Sequence, residues 1–148
     1  MNELQAALKI ALANTFVSYF KAHSYHWNVE GIDFSQYHSF FGDFYEDMHS
    51  AVDELAERIR TLDAYAPISL QDLIGASTLE EDKQKPSNVN EMISNLLDMS
   101  TKTVESLNKV FDIAQEQNNQ GLMNLIADRL DKHSKHNWML KASLKNGD

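Results

Sequence analysis

Six histidines, at positions 23, 26, 38, 49, 133 and 136, and no cysteine set the chemistry open to this chain. Metal ligation falls to imidazole and carboxylate, and thiolate ligands, disulfides and a cysteine nucleophile are excluded. His26 closes one helical pattern in the run His26-Trp27-Asn28, and His38 falls in the first turn of the next. Further along that second helix, Asp53 and Glu57 stand at i and i+4, which places both carboxylates on one face. His38 and Asp53 are 15 residues apart, or about 22 Å along a helix, so no single metal bridges them within one chain. The same separation returns to within about 60° of the starting direction. Two copies of the helix packed antiparallel about a two-fold axis would therefore bring the imidazole end of one to the carboxylate end of the other, forming two equivalent sites. Imidazole plus carboxylate suits iron with positions left for water or oxidant. The bland alternative is that these side chains are caps and surface ion pairs, and spacing alone does not choose between them.

The elements that position these residues read as helices. The first runs from about Asn2 to Asn28, with Leu4, Leu8, Ala11, Thr15, Tyr19 and His26 near one stripe, and Gly31 breaks it. The second is expected to begin at a Ser35 cap and end before Pro67. Its seam of His38, Phe41, Tyr45, Met48, Val52, Leu55, Ile59 and Leu62 alternates steps of three and four. Ser69-Leu-Gln-Asp72 reads as a capping box opening a short helix to Gly75, and the charged stretch 80–85 as a solvated loop. A third long helix follows Pro86, capped by Ser87 or Asn88, with Val89, Ile93, Leu96, Val104, Leu107 and Phe111 inward. After the polar break Gln117 to Gly121, a fourth ends near Leu144. No strand-like alternation is present, so the expectation is all-α: a four-helix bundle with one long crossover carrying a short helix.

The run His26-Trp-Asn-Val-Glu-Gly31-Ile-Asp-Phe34-Ser-Gln-Tyr-His38, followed by Asp53-Glu-Leu-Ala-Glu57-Arg58, resembles the Dps family of mini-ferritins. The resemblance extends over nearly the whole chain. Ser69-Leu-Gln-Asp-Leu matches the family's short crossover helix, and His133-Ser-Lys-His-Asn-Trp138-Met-Leu is similar to its last-helix signature. It implies a ferritin-like fold over residues 1–148 as one domain and a dodecameric homo-oligomeric shell. It also implies iron oxidation at two-fold interfaces, with peroxide often preferred to oxygen, and storage of ferric mineral inside. By matched position, His26 and His38 of one subunit would join Asp53 and Glu57 of its mate, and Trp27 would take part in electron transfer.

The match departs at three places. The family's Asp four residues after the second His is replaced by Gly42, and the following Asp43 points about 140° away on a regular helix. Asp43 would serve the metal only if the helix bulged, so one iron is expected to bind well and a second poorly. The pore region reads Asn118, Asn119, Gln120 and Asn124, with Glu116 and Asp128 the nearest acids. A mobile Lys-rich tail, carried by DNA-condensing members, has no counterpart beyond a short C-terminal stub. Elsewhere, Glu46-Asp-Met-His49 is half of a di-iron motif with no second copy and reads as solvated surface. His133 and His136 read as covering the C-terminal half of the last helix, and Trp138 as a packing anchor with its N–H bonded. Tyr45 is expected to place its hydroxyl in the two-fold interface.

Composition agrees with a globular protein: 43% hydrophobic, 24% charged and a net charge of −9 over 148 residues. An acidic chain with scattered Lys and Arg is a poor partner for nucleic acid and a natural one for small cations. No apolar run approaches the ~20 residues of a membrane span. The absence of cysteine and of a signal-peptide pattern fits a reducing cytoplasm. The competing readings are a DNA-condensing protein and a shell whose iron site has decayed.

Overall fold

The computed structural model describes residues 1–145, and the C-terminal stub at 146–148 lies outside the described residues. It contains five helices in the order α1 (Glu3–Asn28), α2 (Phe34–Thr61), α3 (Leu70–Gly75), α4 (Val89–Glu116) and α5 (Gln120–Leu144). No strand occurs among the described residues. The expected all-α bundle with a short helix in its crossover is what the chain forms.

Local sequence accounts for most of the helix ends. Asn2 and Gln5 form a reciprocal capping box at α1. Ser69 caps α3 by accepting from Asp72 N, while the Asp72 carboxylate reaches back to Ile68 N. Of the two residues offered before α4, Asn88 is the cap, accepting from Glu91 N, while the Glu91 carboxylate accepts from the Ser87 backbone N–H. Ser35 is not a cap. The cap position of α2 is Asp33, whose side chain makes no capping bond; the chain reverses at Gly31, with φ of 122°, and is already helical at Phe34.

At their C-termini α2 and α4 share a device. The N–H of Ala64 bonds Ile59 O and that of Asp63 bonds Arg60 O; the N–H of Asn119 bonds Ala114 O and that of Asn118 bonds Gln115 O. These are Schellman motifs, with Asp63 and Asn118 at the left-handed position usually given to glycine. Asn119 then caps α5 by accepting from Leu122 N. The polar break is therefore a helix stop and a helix start in three residues.

The short connections 29–33 and 117–119 fold α1 against α2 and α4 against α5, and α1 also packs along α4 and α3. Because α1 meets three elements, it buries polar as well as apolar positions, including Asn14, Thr15, Ser18 and Lys21. Two apolar clusters result. One gathers Leu8, Leu12, Leu55, Ile59, Leu107 and Ile126; the other gathers Tyr25, Phe41, Phe44, Met48, Ile93 and Leu140.

Buried polar side chains accompany them. Asp47 receives both terminal nitrogens of Arg129 at 2.9 Å and is 2.7 Å from His136 Nε2. His133 Nδ1 pairs with Ser100 Oγ at 2.9 Å, and Ser18 with Thr103 at 2.9 Å. The stretch 80–85 is not merely solvated: Asp82 accepts from Tyr25 and pairs with the buried Lys21 at 3.2 Å, which ties the crossover to α1.

Candidate metal centre

His26 lies in the last turn of α1 and His38 in the first turns of α2, and the Gly31 reversal brings them together. Their rings stack with centroids 3.7 Å apart and planes 18° from parallel. His26 Nδ1 lies 2.6 Å from His38 O, and His38 Nδ1 lies 2.7 Å from His26 O. A carbonyl can only accept, so Nδ1 carries the hydrogen on both rings. Each Nε2 is left with its lone pair and no protein partner among the described residues. Metal-binding imidazoles are prepared in this way, by a backbone acceptor that fixes tautomer and ring orientation. Phe34 also stacks on His38, centroids 5.0 Å apart.

Asp53 and Glu57 are exposed on α2, more than three turns beyond His38. A hydrogen bond with Asp53, and then the charge of Asp53, raise the Glu57 carboxyl above its ordinary range. A carboxylate whose ionisation is hindered by its neighbour, as that of Glu57 is, marks a place where a cation would relieve repulsion. Within one chain the two halves stay apart. Among the described residues no three His, Asp or Glu side chains converge to hold a metal. Asp43 is exposed on α2, which runs as α-helix from Phe34 to Thr61 without a π turn.

Trp27 is 57% exposed and packs edge-on to Phe20 and against His23. His23 was not singled out by the sequence, yet it is the centre of an aromatic stack. Its ring lies 4.0 Å from Trp27 and 3.8 Å from Tyr45, nearly parallel to the latter, and Nδ1 meets the Tyr19 hydroxyl at 2.9 Å. Burial first, then the nearby His26 and His49, push its pKa down. The spacing 19-23-26-27 is a helical face and could have suggested the cluster; the Tyr45 partner on α2 could not be read locally. Tyr45 spends its ring on this stack.

The last-helix readings need correction. His133 is fully buried rather than covering the helix, and burial, reinforced by Arg129, brings its pKa down to about 3. His136 belongs to the Asp47–Arg129 network. Burial alone would raise the Asp47 carboxyl; the bonds from His136 and Arg129 outweigh it and hold the group well below the usual range. Trp138 is 65% exposed and makes no hydrogen bond among the described residues, so it is no core anchor. Glu46 and His49 are exposed as expected, although His49 leans on Tyr19. In the pore region, Asn118 and Asn119 serve the turn and cap, while Glu116 and Asp128 are exposed. No helix of the described residues is long and apolar enough to cross a membrane.

Comparison with known proteins agrees with this architecture. The ferritin-like domain model matches residues 5–148. General stress protein 20U of Bacillus subtilis is 30% identical over 142 residues, covering 96% of this chain and 97% of that protein. The DNA protection during starvation protein of Brevibacillus brevis is 30% identical, covering 90% and 89%. Among solved structures, a Dps protein of Vibrio cholerae O1 superposes with a TM-score of 0.91 at 31% identity, covering 97% of this chain and 89% of that one. It is described as a member of a broad superfamily of ferritin-like diiron-carboxylate proteins. Dps from Thermosynechococcus elongatus gives 0.94 at 27% identity, covering 99% and 92%. With the ferritin-like match spanning nearly its whole length and Dps relatives covered almost end to end, this chain belongs to the Dps family of ferritin-like proteins.

Proposed function

We propose that this protein is a mini-ferritin that oxidises Fe(II) and stores the ferric product inside a closed homo-oligomeric shell of twelve chains in the cytoplasm. The observation that carries the reading is the His26–His38 lock, which presents two imidazole Nε2 lone pairs at one end of α2. The other end presents two carboxylates, of which Glu57 has a raised pKa. Neither half is a metal site alone. A second copy, antiparallel about a two-fold axis, would join His26 and His38 of one chain to Asp53 and Glu57 of the other.

Iron is the substrate. Neutral imidazoles suit the incoming ferrous ion, and hard carboxylate oxygens favour the ferric product, so the mixed set favours loss of an electron. With hydrogen peroxide as oxidant, two ferrous ions supply the two electrons that break the O–O bond, and two protons complete two waters. Trp27, next to His26, would conduct an electron. Asp43, facing elsewhere, would contribute at most at distance, and a second iron would be held more weakly than the first.

DNA binding is expected to be weak, since each chain brings a net charge of −9 and no basic tract. The test is Fe(II) oxidation, with peroxide and with oxygen, by wild type and by His38→Ala/Glu57→Ala. Fast oxidation that fills the shell and is lost in the variant supports the reading. A rate no greater than that of free iron in buffer would mean that the shell has lost its iron chemistry.

A further inference from the structure

Gly42 sits deep in α2 and is buried. Among the described glycines only Gly31 has a positive φ, so the backbone at 42 does not require glycine. Inside a regular helix glycine weakens the structure relative to alanine. Something at this position therefore has to favour a missing side chain.

A Cβ built at Gly42 would stand 3.2 Å from His26 Nδ1 and 3.4 Å from His26 Cε1, while the next neighbour, Tyr45, is only at 4.0 Å. The His26 ring is thus the one group that uses the space. It has little freedom to retreat. Its Nδ1 is bonded to His38 O at 2.6 Å, one face lies on His38 at 3.7 Å, and Tyr45 stands 5.2 Å away.

We propose that Gly42 is a positioning residue: its bare backbone is the slot in which the His26 ring seats, and it fixes the direction of His26 Nε2 toward the metal. This deepens the iron-site reading and rests on it. In this chain a Cβ at 42 would press on the His26 ring of the locked pair, which would have to shift by a few tenths of an ångström to admit it. With glycine at 42 that position offers no oxygen ligand beside the imidazole pair, whose nitrogens suit borderline divalent ions such as Co²⁺ and Zn²⁺ as well as iron.

The test uses the assembled protein and Co²⁺ as a non-oxidising probe, followed by its visible absorption. Gly42→Ala is expected to weaken Co²⁺ binding roughly ten-fold, as loss of an orienting contact does at metal sites. A purely structural glycine would not predict this, because alanine strengthens the helix. The second readout is a double-mutant cycle on the unfolding midpoint of metal-free protein: Gly42→Ala should raise the midpoint more with His26→Ala than with His26 present. Unchanged Co²⁺ affinity together with an equal effect of Gly42→Ala in both backgrounds would overturn the inference. If Gly42→Ala folds only when His26 is also alanine, the inference stands; if it folds in neither, the inference falls. Wild type that takes up no Co²⁺ would instead count against the iron-site reading, and the cycle would still decide the role of Gly42.

Discussion

The imidazoles of His26 and His38 each donate Nδ1–H to the other residue's backbone carbonyl, at 2.6 and 2.7 Å, while their rings stack at 3.7 Å. Two residues twelve positions apart thus fix one another's tautomer, and both leave Nε2 free. The arrangement depends on the Gly31 reversal, which brings the end of α1 over the start of α2. For the proposed site it would supply a rigid half before any metal arrives, and rigidity of the supporting contacts is what a precise site requires.

Removing one partner shows whether the lock is mutual. In His38→Ala the His26 ring loses its stacking surface but keeps the carbonyl of residue 38. Its Nδ1–H should remain visible by NMR but exchange faster, and divalent metal affinity should fall by about ten- to a hundred-fold. An unchanged affinity would show that His38 does not take part.

The carboxylate half makes a separate prediction in the metal-free protein. Glu57 should titrate above 4.5, because bonding with and charge on Asp53 favour its protonated form. In Asp53→Asn the titration should move back toward that of an ordinary glutamate. Side-chain carboxyl NMR across pH checks this, and a Glu57 pKa insensitive to Asp53 would contradict it.

Buried His133 is expected to make stability fall toward acid pH. Its folded pKa, near 3, lies below the unfolded value of 6.5. Above 6.5 both states are neutral at this residue and stability does not depend on it. As pH falls from 6.5 toward 3 the unfolded state takes a proton that the folded state refuses. Stability should therefore decline by up to about 1.4 kcal/mol per pH unit from this group alone. Denaturant unfolding between pH 7 and 4 should show the slope, and His133→Gln should flatten it. An equal slope in the variant would place the acid sensitivity elsewhere.

The Asp47–Arg129 pair predicts an asymmetric cost. Arg129 has a nearly buried side chain, with 4% exposure, and depends on the bidentate carboxylate. Asp47→Asn should lower stability by about 3 kcal/mol, because it leaves a buried guanidinium without its counter-charge. Replacing both residues by apolar ones of similar volume should cost much less. A loss below about 1 kcal/mol in Asp47→Asn would mean that the network is better hydrated than its geometry implies.

Helix number, the crossover helix and most boundaries were readable because their signals are local: Asn2, Ser69 and Asn88 cap within three residues, and apolar steps of three and four mark inward faces. What escaped is what depends on partners far along the chain. Ser100 is 33 positions from His133, and Asp47 is 89 from His136, so local sequence reads the last-helix histidines as covering their own helix. The Lys21–Asp82 pair and the His23–Tyr45 stack were hidden for the same reason. Ser35 was a plausible cap, but the Gly31 reversal had already set the helical path. For the candidate site, helical spacing gave the face and the separation of the two halves. It could not give the mutual bonding of His26 and His38, which arises from where two helix ends cross.

The claim that one site is built from two chains is tested most directly by subunit mixing. One variant carries His26→Ala/His38→Ala and the other Asp53→Ala/Glu57→Ala, and each should be nearly inactive in Fe(II) oxidation alone. Dissociated and reassembled together in equal amounts, half the two-fold pairs would be mixed, and each mixed pair would hold one intact and one doubly disabled site. The account predicts recovery of about a quarter of the wild-type rate. Mixed shells as inactive as either parent, or a parent that retains full activity alone, would contradict it.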